Sequence, residues 1–396
     1  IDFNMYNNRL RLSATYYTED NVNQIFSVPL PRSSGYSSKL INAGLIRSEG
    51  WELVVGGTPV NNAAGLRWDI DFNFSQNFTT VEELTDDLDF IQLWSDNAGA
   101  WSFIGDRIGD IYSYGIAQVK DPSSPYHNWP ILGNDGSWIR LNQQQDWEKV
   151  GNFNPDLMMG MQTALRYKRW SMSASIDWRV GGEFVSYTYR YGESDWKSQR
   201  QLDNLVPGGL MSSAELEDYL KSNPDEYIIP QNGKYPRVGG HTQETGGMQL
   251  PDGYYDGAFI PGVRQVAGAD TPDDYSDDVY VENLGGEGTI LAPITDTYPW
   301  SYNKNVTFDA SFIKLRELSI AYNLPNFGKI KNASVALYTG NLMLWTKAKI
   351  GIDPERAFQA NSGTQGNTVS QFKQGYERQN VMPWSASGGI RLNFSF

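Results

Sequence analysis

Polar and apolar residues alternate with period two along much of this chain. Over 66–75 one face reads Leu66, Trp68, Ile70, Phe72 and Phe74, and the other Arg67, Asp69, Asp71, Asn73 and Ser75. Such alternation marks an extended strand, whose side chains point to two sides in turn. The pattern returns where Met172, Ala174, Ile176, Trp178 and Val180 alternate with Ser171, Ser173, Ser175, Asp177 and Arg179. It closes the chain, with Ile390, Leu392, Phe394 and Phe396 set against Arg391, Asn393 and Ser395. Near the start Leu10, Leu12, Ala14 and Tyr16 alternate with Arg9, Arg11, Ser13 and Thr15. Less regular stretches at 1–6, 40–56, 156–169, 306–323 and 333–346 bring the expectation to about nine strands. Several exceed the length of about 5 to 6 residues usual in soluble sheets.

Alternation alone leaves two architectures open. In a soluble sandwich the apolar face meets a second sheet; in a membrane barrel it meets lipid, and the polar face lines a lumen. The connections separate the two. Short joins fall at 7–8, 57–64, 168–169 and 325–331, and long ones at 79–155, 186–305 and 347–380, with a shorter one at 29–38. Counted strand by strand, the short joins share one end, and the connections at 29–38, 79–155, 186–305 and 347–380 share the other. Outer-membrane barrels are built this way, whereas loops beyond about 12 to 15 residues are uncommon in compact soluble domains. The expectation is an all-β, transmembrane antiparallel barrel section covering 1–396, with those four connections as extracellular loops. Trp68, Trp170, Trp178, Trp345 and Trp384 lie in or at the ends of the predicted strands, where aromatic girdles anchor a barrel. Core tryptophans are the other reading of the same residues.

Composition narrows the function classes. Aromatic residues make up 13% and charged residues 20%, with 39 Gly, which favours strands, tight turns and interfacial rings over long helices. The net charge of −14 repels a phosphate backbone, so nucleic acid is excluded as a partner. With no Cys, disulfides and thiolate chemistry are excluded as well. Mean hydropathy is −0.49 and no apolar run reaches about 18 residues, so a membrane would be crossed by strands. The chain opens Ile1-Asp2-Phe3-Asn4, already inside an alternating segment, and reads as a fragment of a longer precursor.

Chemistry-bearing motifs are sparse. The two histidines, His127 and His241, both fall in long loops and neither accompanies a Gly-x-Ser-x-Gly elbow. There is no His-Glu-x-x-His helix and no phosphate-binding Gly-x-x-x-x-Gly-Lys loop, and Gly285-Gly286-Glu287-Gly288 reads as a flexible loop. The chain therefore reads as a non-enzyme without cofactor. Asp273, Asp274, Asp277 and Asp278 are weak candidates for a hard cation, since their spacing misses the EF-hand pattern and a solvated acidic loop explains them. Ser212-Ser213-Ala214-Glu215 resembles a capping box, and Leu216, Tyr219 and Leu220 follow at helical spacing, which predicts a short helix inside the second long loop. Trp94, Trp101, Trp129, Trp138, Trp147, Tyr254 and Tyr255 stand in the long loops among Asn, Gln and Asp. Such rings and amides suit sugars or peptides, and Trp94, Trp101, Trp129, Trp138, Tyr254 and Tyr255 are the candidate ligand-binding residues. Packing of the loops is an equal explanation.

Four segments carry a resemblance to a known family. They are Asn42-Ala43-Gly44-Leu45-Ile46-Arg47-Ser48-Glu49-Gly50-Trp51-Glu52, the heptad Val150-Gly151-Asn152-Phe153-Asn154-Pro155-Asp156, the run from Ser311-Phe312-Ile313-Lys314-Leu315-Arg316-Glu317 to Leu324-Pro325, and Gly351-Ile352-Asp353-Pro354-Glu355. In this order they resemble the C-terminal half of SusC/RagA-type TonB-dependent transporters, and Phe396 matches the terminal aromatic of outer-membrane proteins. The resemblance implies a barrel of about 22 strands with an N-terminal plug, of which this chain would be the last part, the plug lying outside this sequence. It also implies a TonB complex as energy source, a SusD-like surface lipoprotein as lid, and glycans or peptides as ligands, in the outer membrane of a Bacteroidetes-type Gram-negative bacterium. A barrel serving as scaffold subunit of a larger outer-membrane assembly is the alternative.

Overall fold

The structure is a computed structural model that describes residues 1–7, 9–29, 38–85, 88–134, 136–194, 199, 213–223, 237–238, 257–259, 262–269, 274–283, 291–292, 302–325, 331–358, 374–378 and 383–395. Nine strands form one sheet: β1 (Asp2–Met5), β2 (Leu10–Pro29), β3 (Ser38–Asn61), β4 (Leu66–Glu83), β5 (Leu157–Tyr167), β6 (Trp170–Val180), β7 (Phe312–Asn323), β8 (Lys331–Thr346) and β9 (Ser387–Ser395). They pair antiparallel in chain order from β1 to β9, as a meander that stays open at both edges. The nine expected strands are thus present.

Cross-strand register makes each face continuous. Val60, Trp68, Leu165, Met172, Ile320, Leu337 and Ile390 are successive direct partners across seven strands. On the opposite face Gly56, Asp71, Gln162, Ser175 and Glu317 form such a row. Among the described residues nothing packs a second layer on the apolar row: Leu337 is 57% exposed and Ile390 68%. Exposed apolar area on this scale needs an apolar solvent or a partner, so the wall is built inside out relative to a soluble sheet. No helix among the described residues is long and apolar enough to cross a membrane.

Aromatic residues band both ends of the apolar face. At the short-turn end Trp170 and Tyr322 meet with ring centroids 4.7 Å apart, and at the other end Tyr16 and Trp51 do the same. Trp345, on β8 near the loop end, is 51% exposed. Trp384 lies outside the strands.

One strand expectation is revised. The segment 306–323 is broken, because Thr307–Asp309 pairs with Glu183–Val185 above the wall and only Phe312–Asn323 enters it. The break is fixed locally: Asp309 Oδ1 accepts from Ser311 N, and Ala310 N donates to Gly182 O. The strands flanking 30–37 are long, since β2 and β3 stay paired up to Pro29 and Ser38. At about 3.3 Å per residue the 20-residue β2 is much longer than the apolar band of about 25 Å that a barrel needs.

The described parts of the long connections fold together into a cap at one end of the wall. The first contributes a four-stranded sheet of Phe90–Trp94, Ala98–Phe103, Asp110–Ser113 and Glu148–Asn152. A second sheet joins Glu183–Ser186 and Thr307–Asp309, from the second connection, to Tyr376–Glu377 from the third. The buried core lies here rather than in the wall, with Trp94, Ala100, Ile111, Phe153, Val185, Val306 and Tyr376 packed as one cluster. Among the described residues the second connection carries helices α1 (Tyr187–Ser194) and α2 (Ser213–Ser222), the latter where the capping pattern predicted it.

Candidate functional site at the loop end

The seam between wall and cap is made of three of the segments that carried the family resemblance. In β7, Arg316 is the extra residue of a β-bulge, because Ser175 pairs with Glu317 while the next residue, Ile176, pairs with Leu315. A bulge re-aims a side chain, and here the Arg316 guanidinium reaches Asp177 on β6 at 2.6 Å and also the Glu355 carboxylate. Lys314, 1% exposed, holds Asp353 at 2.6 Å and Glu355 at 2.5 Å. The Gly351–Glu355 motif is thereby clamped onto the Ser311–Pro325 motif. Burial raises the Glu355 carboxyl, but hydrogen bonds from Arg316 and Lys314 outweigh it and hold it down at about 2.

The heptad 150–156 supplies the other side of the seam. Asn152 Nδ2 donates to Ile108 O and to Asp110 Oδ1, while Asn154 Nδ2 also donates to Ile108 O. Phe153 enters the cap core, and Arg107 reaches Asp156 at 3.3 Å. Asp309 is bound by Lys347 at 2.6 Å; burial pushes its carboxyl up, yet that ammonium and Ser311 leave it below the usual range.

A second network ties the three long connections to one another. Asp96 receives Arg190 at 3.1 Å and the Tyr376 hydroxyl at 2.5 Å. Arg190, fully buried, also donates to Asn303 Oδ1, and Asn303 Nδ2 donates to the carbonyls of Asp96, Asn97 and Tyr112. Glu377 accepts from the hydroxyls of Ser186 and Thr188 and pairs with Arg356 at 3.0 Å. Burial, followed by the Asp96 charge, pushes the Tyr376 hydroxyl well above its ordinary range, so it stays a donor. These contacts hold a shape and carry no nucleophile with a base.

The predicted ligand residues divide by position. Trp94 is 2% exposed in the cap core, its Nε1 donating to Gln374 O, and Trp138 is buried against Tyr302 at 5.2 Å. Trp129 is half-buried beside Tyr126. Trp101 lies on the opposite face of its sheet from the core, with Trp147 at 5.0 Å. Tyr254 and Tyr255 lie outside the described residues, as do His241 and Asp273. Asp274 accepts from Ser276, and Asp278 from Gln265 and Tyr280. Among the described residues no group of three or more His, Asp or Glu side chains is placed to hold a metal ion. The seam cluster itself was missed in the sequence because its charges lie about 40 residues apart, as the separations of 39 and 41 show.

The geometry defines a class first: a section of an antiparallel barrel wall with lipid-type polarity, capped by interlocked loops. No family model matches the chain. Over 391 residues it is 25% identical to TonB-dependent receptor P3 of Formosa agariphila, which covers 93% of this chain and 31% of that protein. Over 393 residues it is 21% identical to TonB-dependent receptor P26 of the same organism, covering 95% and 32%. Among solved structures, the RagAB peptide transporter superposes with a TM-score of 0.55 at 18% identity, over 99% of this chain and 34% of that one. The RagAB peptide importer in its open-open state gives 0.54 at 18%, over 98% and 33%. The chain thus spans about a third of the length of the proteins it matches. The resemblance to SusC/RagA-type TonB-dependent transporters holds along nearly all of it, and its wall has the fold of part of such a barrel.

Proposed function

We propose that this chain is the C-terminal wall and outer mouth of a TonB-dependent importer in the outer membrane of a Bacteroidetes-type bacterium, working with a SusD-like surface lipoprotein on oligosaccharides or peptides. The observation that carries the reading is the uncovered apolar row from Val60 to Ile390, backed by a polar row on the other face. A wall with these two faces suits lipid outside and a wet lumen inside. In this reading the short turns face the periplasm, the cap faces outward, and the rest of a barrel of about 22 strands, with plug and TonB-contacting segment, belongs to the remainder of the protein.

The reading is tested by tagging the whole protein at its chromosomal locus and fractionating the host. Recovery from outer membranes only with detergent, together with a surface lipoprotein, and loss of uptake of a glycan or peptide on deletion, are the expected results. A tagged protein that stays in the aqueous fraction would overturn it.

A further inference from the structure

The two ends of the wall differ in charge. Asp and Glu outnumber Lys and Arg 46 to 32, yet none falls in 3–18, 53–68, 157–176 or 318–352, and each of these stretches spans one short join. Cations stand there instead, with Arg9, Arg67, Arg166, Lys168, Arg169 and Lys331 in the turns or the adjoining strand ends. Arg67 is taken up by Asp69 at 2.8 Å, and Arg9 donates to the carbonyls of Thr58 and Pro59. Lys168 and Arg169, the two residues between β5 and β6, are exposed and make no ion pair with a described residue. Neighbouring joins hold this turn in place: Lys168 N donates to Gly65 O at 3.3 Å, and Arg169 O accepts from Asn323 N at 2.8 Å. Tyr167 and Trp170, direct partners on the apolar face, close the turn and are 42% and 55% exposed. Lys168 Nζ lies 5.1 Å from the centre of the Tyr167 ring, which brings the ammonium to that face. At the loop end the matching ring pair, Tyr16 and Trp51, carries a carboxylate instead, since the Tyr16 hydroxyl donates to Glu49 at 3.2 Å.

A turn that needs only solubility is served by charges of either sign. Two unpaired cations set directly beyond lipid-facing rings match a bilayer interface, where rings lie at headgroup depth and Lys and Arg reach past them to the polar layer. An ammonium offers three donors and a guanidinium a planar fork, and both fit phosphate oxygens. We propose that the turn between β5 and β6 is a binding site for the headgroup of an anionic phospholipid: Lys168 and Arg169 take its phosphate, and the rings of Tyr167 and Trp170 lie beneath it on the lipid side. A headgroup that carries its own cation, as in phosphatidylcholine, gives part of this attraction back, so the site separates anionic lipids from zwitterionic ones. The inference rests on the outer-membrane reading for its setting and adds a lipid ligand to it.

The test is native mass spectrometry of the complete purified transporter in mixed micelles of phosphatidylglycerol and phosphatidylcholine with the same acyl chains. Phosphatidylglycerol is expected to be retained in preference. Lys168→Asn and Arg169→Gln should each lower that preference about fivefold, the effect of one interfacial cation. Asn suits the left-handed backbone at Lys168, where φ is 53°, so the turn is kept. Lys349→Asn is the control: it removes the same charge at nearly the same φ, 54°, from an exposed position at the loop end, and should leave the preference unchanged. Equal retention of the two lipids by the unaltered protein, or an equal loss in Lys168→Asn and Lys349→Asn, overturns the site. So does displacement of the lipid by sodium phosphate but not by sodium chloride of the same ionic strength, which marks a site for free phosphate. A protein that needs no detergent defeats the membrane reading itself, whereas one that needs detergent and shows no lipid preference removes this site and leaves import standing.

Discussion

The phenol of Tyr338 on β8 lies over the bare Cα of Gly389, its direct partner on β9, so that a methyl group on Gly389 would stand 2.6 Å from the Tyr338 Oη. Tyr17 and Gly50 repeat the arrangement between β2 and β3. In each case an aromatic side chain covers the gap that glycine leaves in a sheet.

The two glycines are expected to differ on substitution. At Gly389 the atoms nearest the added carbon belong to the movable Tyr338 ring, whereas at Gly50 the nearest is the backbone carbonyl oxygen of Gln76. Gly389→Ala should cost about 1 kcal/mol and Gly50→Ala about 3 kcal/mol, the two ends of the overpacking range. Urea titration of the folded protein in detergent micelles measures both, and equal costs would contradict this difference in packing.

The seam cluster makes a prediction about charge. Lys314 and Asp353 are 1% and 6% exposed, so removing Lys314 leaves Asp353 buried without its counter-ion, whereas removing Asp353 leaves Lys314 still paired with Glu355. Lys314→Met is expected to lower stability by about 3–5 kcal/mol, while replacing both by apolar residues should recover much of that loss. Thermal unfolding of the two single variants and the double variant provides the cycle.

The same cluster sets an acid limit. Glu355 titrates at about 2 in the folded protein, below the ~4.3 of a free glutamate. A depressed carboxyl stabilises the fold fully above ~4.3 and loses that contribution as the pH falls toward about 2. Asp309 is shifted in the same direction and adds to it. Melting temperature should therefore fall through this acid window, and Glu355→Gln should flatten the fall at the expense of a lower plateau at neutral pH.

The wall predicts its own polarity test. Ile320 lies on the apolar row and Ser319 on the opposite face of the same strand. Leu318→Lys, on the same face as Ile320 and further from the Trp170–Tyr322 band, should cost about 2–4 kcal/mol for folding into phospholipid vesicles, as a lysine near the mid-plane does, while Ser319→Lys should cost far less. Equal costs would remove the assignment of the two faces to lipid and lumen.

Much of this protein was determined by its sequence alone. Period-two alternation fixed which residues share a face, and the segregation of short and long joins fixed which ends of the strands lie together; both follow from local geometry, since side-chain direction in a strand depends only on position. The tertiary structure decided what the connections do. Residues 306–323 read as one strand, yet the register is handed from the cap sheet to the wall at Ala310 and Ser311, through bonds to Gly182 and Asp309. Helix α1 had no predicted start: Ser186 caps it by accepting from Tyr189 N, and Thr188 N is satisfied by Glu377, 189 residues away. Trp94 and Trp101 were equivalent loop tryptophans in the sequence, and the pairing of two short strands sent one into the core and the other to the ring-lined face. In each case the deciding partner comes from another strand or another connection, and its effect is set by closure of the loops onto one another, which no local periodicity encodes.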